Sequence, residues 1–297
     1  MDIGVVGPGA MGTFMAGLLA KENEVTLLGR RDEDIERVEI VGESELSFRV
    51  NFTTRAAELN EAELVVISTK AFDTEEAVEE VASHIPSDCS VLSLQNGLKN
   101  EEIISRYVGV ERTIGGITSH GVTYLEPGKV KHAGKGETVI GAYPKGRVER
   151  VKETAELLSS AGIKTEVTDN ILGQIWKKVI VNSGINPVTA LLEVKNGLLM
   201  EEKEVLDIVE EAVREAAEVA RGYTELPVND PFEETKKVIE STRDNRSSML
   251  QDIDNKKRTE IDQINGAVVE KGDKTGISVP INRTLYGLVK GLEKKYL

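Results

Sequence analysis

Hydrophobic and polar positions along the chain follow two regimes. Up to about residue 168, short apolar runs of strand length alternate with stretches whose apolar residues recur at helical spacing. The runs open at Asp2 and recur in Ala62–Thr69 (LVVIS), Ser90–Leu94, Arg112–His120 and Lys164–Thr168. Helical periods follow the first run and cover Asp73–His84, with Pro86 beyond it, and Glu149–Ser160. Between Val122 and Ala142, turn glycines separate short β-like runs and predict a hairpin-like addition. Such recurrence predicts an α/β fold with a parallel, doubly wound sheet.

After Asp169 the periods become long and helical. Asp169 is placed to cap a helix running through Trp176 and Lys178, and Met200–Arg221 carries Leu, Val and Ala at helical spacing. Thr259-Glu260-Ile261-Asp262 matches a capping box opening a helix through Val269. The expectation is therefore a Rossmann-type dinucleotide-binding domain over residues 1–167 and a mostly α-helical substrate-binding domain over residues 168–297.

The first turn carries the chemistry that motivates the nucleotide assignment. Gly7-Pro8-Gly9-Ala10-Met11-Gly12 sits between a strand and a helix, followed by a second strand ending in Gly29-Arg30-Arg31. Gly7 permits the tight turn, Gly9 lets a pyrophosphate reach the backbone, and Gly12 lets helix and strand pack closely. Amides at the helix start then meet the phosphates. An acidic residue closing the second strand would select NAD(H). Here the first acid is Asp32, after two arginines, so NADP(H) is favoured and NAD(H) is the alternative. The competing reading is that one arginine stacks on adenine or lies in solvent.

Charge and cysteine content narrow the remaining classes. With 37 basic and 51 acidic residues among 297, the net charge is −14, which argues against nonspecific binding to nucleic acid or an anionic membrane. The single cysteine, Cys89, forms no intramolecular disulfide, and no Cys/His cluster has metal-ligand spacing. With no leader ahead of the first strand and no run of membrane-spanning length, a cytoplasmic location is expected.

The second half offers a polar stripe. Lys178, Asn182 and Asn186 recur every four positions, setting one ammonium and two amides along one face of a helix in which Val179, Ile180, Val181 and Ile185 occupy much of the rest. Buried amides and charges need partners, which a polar ligand or a neighbouring helix can supply. Pro187 is expected to kink the helix just after Asn186. Two other polar stretches, Asp244–Asp252 and Lys257–Glu260, can hold a carboxylate through hydroxyls and amides, and Glu260 can equally serve the helix dipole.

Together these segments resemble the ketopantoate reductase family, in order and over nearly the whole chain. The resemblance rests on Gly7–Gly12, Thr69-Lys70-Ala71, Leu94-Gln95-Asn96-Gly97, Trp176…Lys178…Asn182…Asn186-Pro187, Asn196-Gly197, Arg246–Asp252 and Thr259–Asp262 with Ile264-Asn265-Gly266. It implies NADPH-linked reduction of 2-dehydropantoate, a small keto acid, to pantoate on the route to coenzyme A. Lys178 then matches the general acid. Asn182, Asn186 and Asn196 match substrate-binding amides, and Asn245, Arg246, Ser247 and Ser248 the stretch gripping the carboxylate. Glu260 matches the acid beside the substrate hydroxyl and nicotinamide ribose. Lys70, Asn96 and the backbone at Gly121 match cofactor contacts, and closure of the two halves is expected to complete the site. A homodimer is compatible with this reading. Two rival readings stay open, a related dehydrogenase of another 2-keto or 3-hydroxy acid and a non-enzymatic NADP-binding redox sensor.

Overall fold

The structure, a computed structural model, describes residues 1–43, 45–144 and 148–297. Two compact units divide the chain: Met1–Gln95 with Lys99–Ile171, and Leu172–Leu297 together with the short segment Asn96–Leu98.

The first unit contains strands β1 (Asp2–Val6), β2 (Glu24–Leu28), β3 (Arg37–Gly42), β4 (Leu46–Arg49), β5 (Asn51–Thr53), β6 (Leu64–Ile67), β7 (Ser90–Ser93), β8 (Thr113–Thr118), β9 (Gly121–Glu126), β10 (Lys129–Gly134), β11 (Thr138–Ala142) and β12 (Thr165–Val167). Its helices are α1 (Ala10–Leu19), α2 (Thr74–Ala82), α3 (Asn100–Val108) and α4 (Val148–Ser160). The main sheet runs β12-β11-β8-β7-β6-β1-β2-β5. Renumbered in chain order, β5-β2-β1-β6-β7-β8 is the 3-2-1-4-5-6 arrangement of a Rossmann sheet.

Strict alternation along these short strands builds two cores. Ile3 and Val5, Leu64 and Val66, and Leu92 face α1 (Phe14, Met15, Leu19) and α4 (Val151, Leu158). Val6, Val65, Ile67 and Val91 face α2 (Val78, Val81) and α3 (Ile104, Val108). Burial on both faces is why the strands read as continuous apolar runs.

The structure corrects the sequence reading in several places. The interval Val122–Ala142 is not one hairpin. β9 and β10 form an antiparallel pair in a separate four-stranded sheet of order β4-β3-β10-β9, whereas β11 joins the main sheet antiparallel to β8. The sheet is therefore mixed. β3, β4 and β5 lie in a stretch to which periodicity assigned nothing, because two of them have one exposed face and one is only three residues long. The small sheet packs Val38, Ile40 and Val130 into the α1 core, where His120 and His132, 3.0 Å apart, lie against Phe14.

The second unit is helical: α5 (Ile171–Leu192), α6 (Lys203–Arg221), α7 (Pro231–Ser241), α8 (Ser248–Asp254), α9 (Asn265–Thr275) and α10 (Pro280–Glu293). Asn170, not Asp169, immediately precedes α5. Pro187 lies inside α5, which continues five residues beyond it to Leu192. The predicted capping box at Thr259 does not form. The Glu293 carboxylate accepts from both the Thr259 N–H and hydroxyl at 2.7 Å, residues 261–264 are turns, and α9 begins only at Asn265. Asp230 caps α7 by accepting from the Phe232 and Glu233 amides. At α10 the cap comes from another helix: Glu215 of α6 accepts from the Ile281 and Asn282 amides, each at 2.9 Å.

Candidate active site

The glycine turn between β1 and α1 has the geometry that its residues predicted. Gly7 has φ +100°, and a Cβ there would lie 2.9 Å from the Thr69 amide nitrogen. A Cβ on Gly12 would meet the Gly7 carbonyl oxygen at 2.0 Å and the Ser68 hydroxyl at 2.4 Å, so only hydrogen fits. Gly9 differs: its φ of −79° is open to any residue, and nothing lies within 4 Å of its Cβ position. Open space over Gly9 is what a close-approaching pyrophosphate requires. The α1 N-terminus, Ala10 and Met11 included, carries no side-chain cap and no first-turn acid, leaving its amides and positive dipole end available. Pro8 lines the turn opposite Gly29, whose Cβ position lies 3.2 Å from the Pro8 ring.

Three other cofactor candidates share this unit. Lys70 follows β6, next to β1 where the strand order reverses, and Gly121 opens β9. Arg30 is committed to Asp73 at 3.1 Å and Glu76 at 3.5 Å, whereas exposed Arg31 has no ion pair among the described residues. Sequence reasoning missed two polar groups nearby. Gln95 is buried and donates its amide to the Thr69 carbonyl (3.0 Å) and the Thr74 hydroxyl (2.8 Å), tying together the loops after β6 and β7. Glu101, 2% exposed on α3, has one carboxylate oxygen with no partner among the described residues, and burial pushes its pKa up to about 7. Apolar periodicity cannot flag a buried acid, but a glutamate among buried positions of an amphipathic helix is the available signal.

The substrate candidates, with Asn96 and Glu260, all belong to the second unit. Helix α5 is buried along most of its length, and between Ile175 and Ala190 only Lys177, Lys178 and Asn182 are partly exposed. Lys177 points elsewhere, to Glu234 at 3.0 Å. Desolvation brings the Lys178 ammonium down to about 8, partly offset by the Glu260 carboxylate. Glu260 is 5% exposed and accepts from the Asn96 side chain at 3.3 Å. Lys178, Glu260 and Asn96 are thus assembled from α5, the turn before α9 and the segment after β7. The amides of Asn182 and Asn186 make no hydrogen bond among the described residues, although Asn186 is only 5% exposed.

The other candidates divide into scaffold and open positions. Asn196 donates its backbone amide to the Asn245 carbonyl (3.0 Å) and its side chain to Thr242 (2.9 Å), fixing the loop ahead of α8. Ser247 is buried and used internally: its hydroxyl caps α8 by accepting from the Leu250 amide and lies 2.7 Å from the Thr189 hydroxyl on α5. Exposed Arg246 pairs with Asp254. Asn245 and Ser248 are exposed, with Ser248 the first residue of α8.

Residues 3–145 match the family model described as "Ketopantoate reductase PanE/ApbA", and residues 170–293 match its C-terminal counterpart. A 2-dehydropantoate 2-reductase of Pyrococcus abyssi is 42% identical over 301 residues, covering 99% of this chain and 98% of its own. The crystal structure of a PanE/ApbA family ketopantoate reductase from Ralstonia eutropha superposes with a TM-score of 0.92 at 28% identity, covering 100% of this chain and 99% of that one. D-mandelate dehydrogenase, in ternary complex with NADH and anilino(oxo)acetate, superposes with a TM-score of 0.93 at 30% identity over 100% of this chain and 99% of that one.

Proposed function

The chain belongs to the ketopantoate reductase family, and from that premise we propose that it reduces 2-dehydropantoate to pantoate with NADPH, with Lys178 as general acid. The observation that carries this reading is that the side-chain amide of Asn186, a residue only 5% exposed, makes no hydrogen bond among the described residues and lies on the helix face that also carries Lys178 and Asn182. A purely structural stripe would be internally hydrogen-bonded, because buried amides are costly to leave unpaired.

The residues present fit a dinucleotide. The open backbone at Gly9 and the uncapped start of α1 would hold the pyrophosphate, with Lys70 and the Gly121 backbone as further contacts. Arg31 is assigned to the 2′-phosphate because Arg30 is already engaged by two acids. The bound nicotinamide supplies the hydride for the substrate C2 carbonyl. Lys178 donates a hydrogen bond and then its proton to the carbonyl oxygen as negative charge develops there. Asn182 and Asn186 orient the ketone and hydroxyl of the substrate, and Ser248 with Asn245 meets its carboxylate. Glu260 raises the Lys178 pKa against the desolvation that lowers it and is assigned to the substrate hydroxyl.

Oxidation of NADPH and NADH, followed spectrophotometrically with ketopantoate, tests the proposal. Turnover with ketopantoate supports it, and inertness overturns it. Arg31→Ala should raise the KM for NADPH without changing that for NADH. A second reading, a dehydrogenase of other 2-hydroxy acids, is favoured by the similarity to D-mandelate dehydrogenase. Faster turnover of an aromatic 2-keto acid than of ketopantoate in the same assay selects it. Tight cofactor binding with no keto acid turned over would instead select a redox sensor.

A further inference from the structure

Proline inside α5 leaves a specific debt. In an α-helix the carbonyl of residue 183 accepts from the amide of residue 187, but Pro187 has no N–H. Ser183 is fully buried, so water cannot satisfy its carbonyl. The side chain of Asn265, the first residue of α9 and itself fully buried, donates to that carbonyl at 3.0 Å.

The orientation of this amide is set from behind. Its nitrogen also donates to Asn282 Oδ1 at 3.0 Å, and Asn282 in turn donates to the Ala212 carbonyl and the Glu215 carboxylate, both at 2.9 Å. With both N–H groups used on oxygen acceptors, a flipped Asn265 would oppose oxygen to oxygen. Helix α6 backs the same turn: a Cβ on Gly184 would stand 2.9 Å from Val213. The missing 187-to-183 bond closes the turn that separates Asn182 from Asn186. Slack there would rotate Lys178 and Asn182 relative to Asn186.

We propose that Asn265 is a positioning residue: it supplies the hydrogen bond that Pro187 withholds from Ser183 and thereby holds the two ligand-facing amides of α5 in register. What that register serves rests on the reductase reading. The bond itself does not.

The test is a double-mutant cycle of Asn265→Ala and Pro187→Ala in the full chain, since alanine at 187 restores the native helix amide. Asn265→Ala should raise the KM for ketopantoate by roughly tenfold, within the usual range of pairwise coupling, and leave the KM for the nicotinamide cofactor unchanged. Pro187→Ala should stay near wild type, and the double variant should return to within about threefold of Pro187→Ala. Amide hydrogen exchange over residues 183–189 should quicken in Asn265→Ala and recover in the double variant. A double variant as impaired as Asn265→Ala, in both KM and exchange, overturns the proposal. If Asn265→Ala is insoluble, recovery of folded protein on adding Pro187→Ala supports the bond, and failure to recover it counts against it. A wild-type protein inert towards ketopantoate sinks the reductase reading, while the exchange arm still decides the role of Asn265.

Discussion

At the scale of single residues, Lys178 and Glu260 form a coupled pair whose behaviour is set by burial. The ammonium is held near 8 because desolvation outweighs the attraction of the Glu260 carboxylate. Lys178→Ala is expected to lower turnover about 10²–10⁴-fold, the usual contribution of a positioned acid, with cofactor affinity retained by fluorescence titration. On the proposed general-acid role the protonated form is the active one, so kcat/KM should fall as pH rises through about 8. Glu260→Gln removes the charge that raises the Lys178 pKa, so that alkaline limb should move to lower pH. A change in thermal stability alone, with the limb unmoved, would assign Glu260 a structural role. The lysine and both amides were legible from their four-residue spacing. The carboxylate's link to Lys178 and Asn96 was not, because those residues lie far apart in sequence and meet only through packing.

At the scale of elements, the turn between β1 and α1 separates two uses of glycine. Gly9→Ala meets no neighbour and keeps an ordinary φ, so thermal unfolding should be unchanged while NADPH affinity drops sharply in titration. Gly12→Ala would drive a methyl against the Gly7 carbonyl, costing about 1–3 kcal/mol or more, and should lower Tm as well as affinity. Equal loss of stability in both variants would contradict this division. Strands buried on both faces and the long helices α5 and α6 were readable from periodicity alone. Those missed or misplaced depended on distant partners. β5 is stabilised by pairing with β2, α10 is capped by Glu215 from α6, and the Thr259 hydroxyl is taken by Glu293. Pro187 was read only as a kink after Asn186; that it leaves the Ser183 carbonyl to Asn265 emerged from the packing of α9 on α5.

At the scale of the whole molecule, buried titratable groups couple stability to pH. Glu101 has its folded pKa raised from 4.5 to about 7, so its protonated form is the one that suits the fold. Its contribution is fully present below about pH 4.5 and is lost as pH rises through 7, amounting to up to about 3 kcal/mol. Glu101→Gln should therefore be more stable than wild type at pH 8 and show a flatter stability profile between pH 5 and 8 in urea denaturation. Matching profiles for the two proteins would remove Glu101 from that role. The chain's own order of residues determined the Rossmann-type sheet, the glycine turn, the helical second half and the spacing of Lys178, Asn182 and Asn186, because each is encoded within a few consecutive turns or strands. Only the tertiary structure decided which of the candidates are tied into the scaffold, as Ser247 and Arg246 are, which is tied in yet keeps a buried oxygen unpaired, as Asn196 does, and which make no side-chain hydrogen bond among the described residues, as with Asn182 and Asn186. Hydrogen bonding is settled by whatever side chain packing brings within about 3 Å, and sequence distance carries no information about that.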